Sequence, residues 1–177
     1  MNLLKLKNYL LLISLGIIIS LGIIITSCSK KEESKTNDLL GKWTVSATTI
    51  NMTVNGQSLL QYFVNVVGLS AADAQSYSDL ITTSAQQAFN GSTFEFKSNN
   101  TYTYTSTDTT GTGTYSLSSA GDKLTMDAGT ADETIWNVKS LTSSALNLEF
   151  TETQSEDLDG DTVKESLVLA VALTLHK

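Results

Sequence analysis

Proline and arginine are absent from this chain, and cysteine and histidine occur once each, as Cys28 and His176. Without arginine there is no guanidinium fork to grip a phosphate or carboxylate through two parallel bonds. A lone cysteine excludes an internal disulfide, so stability must come from packing. The single histidine has no second histidine or cysteine for a metal-ligand pair, and one residue from the chain end it is poorly placed for acid–base work. Positive charge is scarce too: 11 lysines stand against 18 acids, a formal charge of −7. Such a surface repels polyanions, which excludes nucleic acid as a partner. No Gly-x-Ser-x-Gly nucleophile turn occurs, and Gly111-Thr112-Gly113 is a lone Gly-x-Gly without the strand-to-helix setting that cradles a phosphate. These absences predict no enzyme and no cofactor. A cleft gathering acids such as Glu95 and Glu149 would be the cheapest sign to the contrary.

What is present begins with a leader. Residues 1–8 carry Lys5 and Lys7 and no acid, and 9–25 are apolar apart from Ser14 and Ser20. The run is long for a signal peptide and approaches membrane-spanning length, so an uncleaved anchor is the alternative reading. Small residues and a cysteine close it, however, and Ile25-Thr26-Ser27-Cys28 resembles a bacterial lipobox. The resemblance implies removal of 1–27 as a lipoprotein signal peptide and acylation of Cys28, palmitate among its chains. Nine lysines and all 18 acids would remain, a formal charge of −9. Residues 28–38 hold no apolar side chain after the cysteine and predict a disordered tether. Ser29 after Cys28 is similar to lipoproteins sent to the outer membrane. Lys30-Lys31-Glu32-Glu33 is similar to signals for surface display, so either the periplasmic face or the cell surface fits.

Residues 39–177 predict one domain. Trp43, Val45 and Ala47 alternate with Lys42, Thr44 and Ser46, a half-buried strand running towards Val54 and the Asn55-Gly56 turn. Ser58 then caps a helix carrying Leu59, Leu60, Phe63, Val66 and Val67. Ser70 caps a second, with Ala74, Tyr77, Leu80, Ile81 and Phe89 as its apolar face. From Ser92 the period becomes two. Phe94 and Phe96, Tyr102 and Tyr104, Tyr115 and Leu117, Leu124 and Met126, Trp136 and Val138, and Leu146, Leu148 and Phe150 mark successive strands. Val163, Leu167, Leu169, Val171, Leu173 and Leu175 mark the last. The fold expected is mainly β: an eight-stranded antiparallel up-and-down barrel with two short helices inserted between strands 1 and 2.

Gly41-Lys42-Trp43 at the head of that meander resembles the Gly-x-Trp signature of the calycin group. With the lipobox and the FEFKSNNTYTYT, GTYSL…DKLTM and VKSLTSSALNLEF segments, the chain resembles the bacterial lipocalin-like lipoproteins from Leu39 to about Phe150. The resemblance implies that Trp43 plugs the barrel base. The helix pair is similar to the one that lids fatty-acid-binding proteins, although the late arginine of those families is missing here.

Phe94, Phe96, Tyr102, Tyr104, Tyr115, Trp136 and Leu148 would point inward, and either line a cavity for a small apolar ligand or fill the space. Asp157, Asp159 and Asp161 alternate as in Ca²⁺ loops, but the glycine comes early, no glutamate stands twelfth, and Asp-Gly is an ordinary hairpin turn. They are a weak candidate beside a reading of no metal. Two functions are expected: a lipid-anchored envelope protein binding a small hydrophobic ligand, or a solid-barrel scaffold meeting another envelope protein. Oligomeric state is left open. Mature protein from its host should begin at an acylated Cys28 by intact mass; a free thiol there would contradict the lipobox.

Overall fold

The computed structural model describes residues 32–177, with the backbone alone for 32–34; the leader 1–27 and Cys28 lie outside the described residues. In chain order come α1 (Glu32–Leu39), β1 (Gly41–Val54), β2 (Gln57–Ser58), α2 (Leu59–Asn65), α3 (Ala71–Gln87), β3 (Thr93–Phe96), β4 (Thr101–Thr105), β5 (Thr110–Leu117), β6 (Lys123–Met126), β7 (Thr134–Leu141), β8 (Ala145–Glu156) and β9 (Glu165–His176). The sheet runs β1-β3-β4-β5-β6-β7-β8-β9, and β9 pairs back to β1. The fold is therefore mainly β, a closed antiparallel barrel of eight strands with few helices. Closure leaves no unpaired edge in the ring. The two-residue β2 is an addition the alternation did not suggest: Asn55 and Gly56, at φ 51° and 76°, make a tight two-residue turn that folds it back on β1.

Two compact units divide these elements. The first holds Thr49–Ala88 and Thr151–Val171; among the described residues the second holds 32–48, Phe89–Phe150 and Ala172–Lys177. In the first unit, Ser58 caps α2 through a reciprocal pair with Gln61, and Ser70 accepts the Asp73 amide at 3.2 Å to cap α3. Phe63 of α2 meets Tyr77 of α3 edge-on at 6.4 Å. Of the apolar face expected for this helix, Ala74 is fully buried, Tyr77, Ile81 and Phe89 are half-buried, and Leu80 is 58% exposed.

The second unit holds α1 and the start of β1. Trp43 is fully buried, donates its indole N–H to the Leu39 carbonyl at 2.7 Å, and carries the Lys177 ammonium 4.5 Å from its ring centre. Here the segment expected as a disordered tether over 28–38 departs from that expectation. From Glu32 it is helical; Leu39 is fully buried, Lys35 Nζ donates to the Ala120 carbonyl at 2.9 Å, and Lys177 Nζ donates to the Asp38 carbonyl at 2.6 Å. One buried leucine and one well-placed lysine suffice to dock α1, a signal too sparse for periodicity to reveal.

Two slips in alternation also escaped the sequence. Val45 is buried, Ser46 and Ala47 are both exposed, and burial resumes on the opposite parity at Ile50, Met52 and Val54. An extra residue of this kind re-aims a strand. The register shifts again between β7 and β8 at Val138 and Ser140. Replacing Trp43 by alanine should lower stability by about 3–5 kcal/mol in urea unfolding, through lost burial and the orphaned Leu39 carbonyl.

Candidate functional site

Each of the six aromatic residues expected to line or fill the barrel is buried, and all six lie in the second unit. Phe94 pairs with Tyr104 and Phe96 with Tyr102 across β3 and β4. Phe94 lies 4.9 Å from Tyr104, Phe96 stands edge-on to Tyr115 at 5.0 Å and 6.3 Å from Tyr102, all between ring centroids. Trp136 stands apart from this group, 5.3 Å from Phe150, and Leu148 is opposite Val138. So the structure gathers five of the seven candidates into one interlocked set.

The three tyrosine hydroxyls of that set, the expected polar anchors for a ligand, all have protein partners. Tyr102 donates to Asp127 Oδ2 at 2.6 Å, Tyr115 donates to the Lys97 carbonyl at 2.8 Å, and Tyr104 shares a hydrogen bond with Ser92 at 3.1 Å. Burial, then the bond to Asp127 and the charges of Asp127 and Asp132, push the Tyr102 phenol well above its ordinary range. Burial alone raises Tyr115.

Asp127, 8% exposed, is the hub. Its Oδ1 accepts the Thr114 amide at 2.9 Å, its own amide donates to the Thr114 carbonyl at 2.8 Å, and it adopts φ 53°. Gly113 is opposite Tyr102, and a Cβ there would collide with both the Tyr102 ring and the Asp127 carboxylate. Gly111 is opposite Tyr104 in the same way. Gly113 of the lone Gly-x-Gly therefore makes room for the Tyr102 ring, and nothing in the sequence linked it to Asp127.

The first unit has a different interior. Along β8 the more buried positions pass from Leu146, Leu148 and Phe150 to Glu152, Gln154 and Glu156. Along β9 the inward position before Leu167 is Glu165, 5% exposed. Val163, expected on that face, is 63% exposed and precedes the strand. The side-chain oxygens of Gln57 and Gln154 and the hydroxyl of Tyr62 are buried without hydrogen-bond partners. Each such atom costs about 1–3 kcal/mol unless something satisfies it.

The acidic turn joins β8 to β9. Oxygens of Asp157, Asp159 and Glu165 lie within 4.8 Å of one another; Asp161, the third residue of the sequence candidate, is outside that group, and Glu165 stands in its place. Like charges this close repel by about 1–4 kcal/mol per pair, depending on exposure. Loop amides offset part of this: Asp157 accepts from Gly160 and Thr162, Asp159 from Asp161, and Glu165 Oε2 from Leu158 at 2.7 Å. Asp161 spends its Oδ1 on the Val163 amide. Glu165 was missed because it lies four positions beyond Asp161, past the end of the alternating run, and only the return of the chain into β9 brings it back.

Glu95 and Glu149, the acids named as a possible cleft, are both exposed; Glu149 pairs with Lys139 at 3.3 Å. Cys28 lies outside the described residues. Comparison with protein-family models and with curated proteins finds no match.

Because the folded chain holds the Tyr102 proton more tightly than the unfolded chain, its contribution to stability is complete below about pH 10 and is lost as pH rises above it. Tyr102→Phe should cost about 1–3 kcal/mol at pH 7 by leaving Asp127 without its donor. The same variant should show a shallower stability loss above pH 10 when urea unfolding is repeated along a pH series.

Proposed function

We propose that the protein is a lipoprotein held in the cell envelope by a lipid on Cys28, with a lipocalin-like barrel that binds a small molecule. The anchor rests on the leader and the lipobox. The binding reading rests on one observation: in the first unit, which also buries Ile50, Met52, Leu167 and Leu169, the amide oxygens of Gln57 and Gln154 are buried with nothing to accept from. Two unsatisfied buried acceptors in a unit with an otherwise apolar interior fit a largely apolar ligand that carries hydrogen-bond donors.

The second reading, a solid scaffold, is favoured by the other unit. There the aromatic rings pack on one another and the tyrosine hydroxyls are taken, so a ligand entering would have to break existing hydrogen bonds. This moves the binding reading away from Tyr102, Tyr104 and Tyr115 and towards Gln57 and Gln154.

Native mass spectrometry of full-length protein purified from its own host tests the choice. A small molecule should co-purify and be lost in Gln154→Leu, which removes one acceptor while keeping the volume. A mass that exceeds the polypeptide by the Cys28 lipid alone would favour the scaffold.

A further inference from the structure

We propose that Asp157, Asp159 and Glu165 form a binding site for a hard divalent cation of the Ca²⁺ class, with the Tyr62 hydroxyl turned towards water held by the ion. The site lies wholly in the first unit and stands apart from the small-molecule reading, which uses neither the acidic turn nor Tyr62.

Three observations converge. The first is spacing. Oxygens of the three carboxylates lie within 4.8 Å of one another. Ligands sharing a Ca²⁺ ion at about 2.3–2.6 Å are separated by no more than about twice that length. The second is burial. Glu165 is 5% exposed, and among the described residues the one ion pair is between Lys139 and Glu149, so no lysine neutralises it. A buried carboxylate is normally paired with a base or coordinates a metal. The third is the phenol of Tyr62. It is 1% exposed, and its hydroxyl has no hydrogen-bond partner. It nonetheless feels the charges of Glu165, Asp159, Asp161 and Asp157, which add to burial in raising its pKa to about 12. A buried hydroxyl under the charge of several acids, yet bonded to none, has a hydrogen bond still to make. Water on a bound ion would accept or donate there, satisfying the phenol.

The donor set selects the ion. All donors are carboxylate oxygens, with no thiolate or imidazole in the cluster, which disfavours zinc and copper. Mg²⁺ demands a strict octahedron and gives up water reluctantly, whereas Ca²⁺ tolerates an irregular set completed by water.

Isothermal titration calorimetry of the full chain with CaCl₂ should show one site per chain with a Kd of about 10⁻⁴–10⁻³ M, the range of extracellular modules. Mg²⁺ should bind at least about tenfold more weakly, and Ca²⁺ should raise the melting temperature in proportion to its occupancy. Asp159→Asn and Glu165→Gln should each weaken Ca²⁺ at least about tenfold, while Asp161→Asn changes affinity less than about threefold. Asp159 lies in the turn, so its variant tests the site even if Glu165→Gln disturbs the fold. Tyr62→Phe should abolish tyrosine-sensitised Tb³⁺ emission and leave Ca²⁺ binding measurable. Absence of heat and of any melting shift at about 10 mM Ca²⁺ would overturn the site. So would equal losses in the Asp161 and Asp159 variants, which would mark diffuse screening, or Tb³⁺ emission that survives in Tyr62→Phe.

Discussion

A closed sheet gives each strand residue one of two destinations, inside or outside, and consecutive residues alternate between them. With β9 hydrogen-bonded to β1, no strand can slide by one position without sending every side chain to the wrong face. The character of the interior is thus written in the alternate residues of each strand. In β3, β4 and β5 these are Phe94, Phe96, Tyr102, Tyr104 and Tyr115, and the result is a closely packed aromatic set. In the later half of β8 they are Glu152, Gln154 and Glu156, and at the start of β9 Glu165. The same rule that builds an oily core in one unit carries acids and amides inward in the other.

Polar groups are treated differently in the two units. In the second, Asp127 is fully engaged: one oxygen takes the Tyr102 proton donor and the other a backbone amide, with Gly113 clearing space for both. A network of that kind rigidifies its surroundings and fixes one arrangement of rings. In the first unit the carboxylates of the acidic turn accept from loop amides, and Tyr62, Gln57 and Gln154 keep buried atoms without partners. Unsatisfied groups are a cost to folding, and sites that keep them are where sequence and stability part company.

Much of this was legible in the residues. The change of period at Ser92, the Asn-Gly turns and the serine caps are local signals, and each strand from Phe94 to Phe150 announced its inward face through large apolar residues two apart. What escaped was non-local or too slight to repeat. The parity slip after Val45 involves one residue, and the docking of α1 rests on Leu39 and Lys35. Glu165 reads as a polar interruption in an apolar run, since its partners arrive through a turn. The link between Gly113 and Asp127 crosses from β5 to the turn after β6, a distance no pattern of spacing spans.

The helix at the start of the described chain also sets a length. Had 28–38 been a free leash, the folded body could have drifted far from its anchor. With α1 beginning at Glu32 and pinned by Lys35 and Lys177, only three residues separate its first residue from the cysteine proposed to hold the lipid. The four Cα–Cα steps between them reach about 14 Å at full stretch. That is comparable to one or two screening lengths in physiological salt, about 8 Å each. If Cys28 carries the proposed lipid, a body this acidic, moored so short, would feel the headgroups beneath it, and a partner would have to come to the bilayer to meet it.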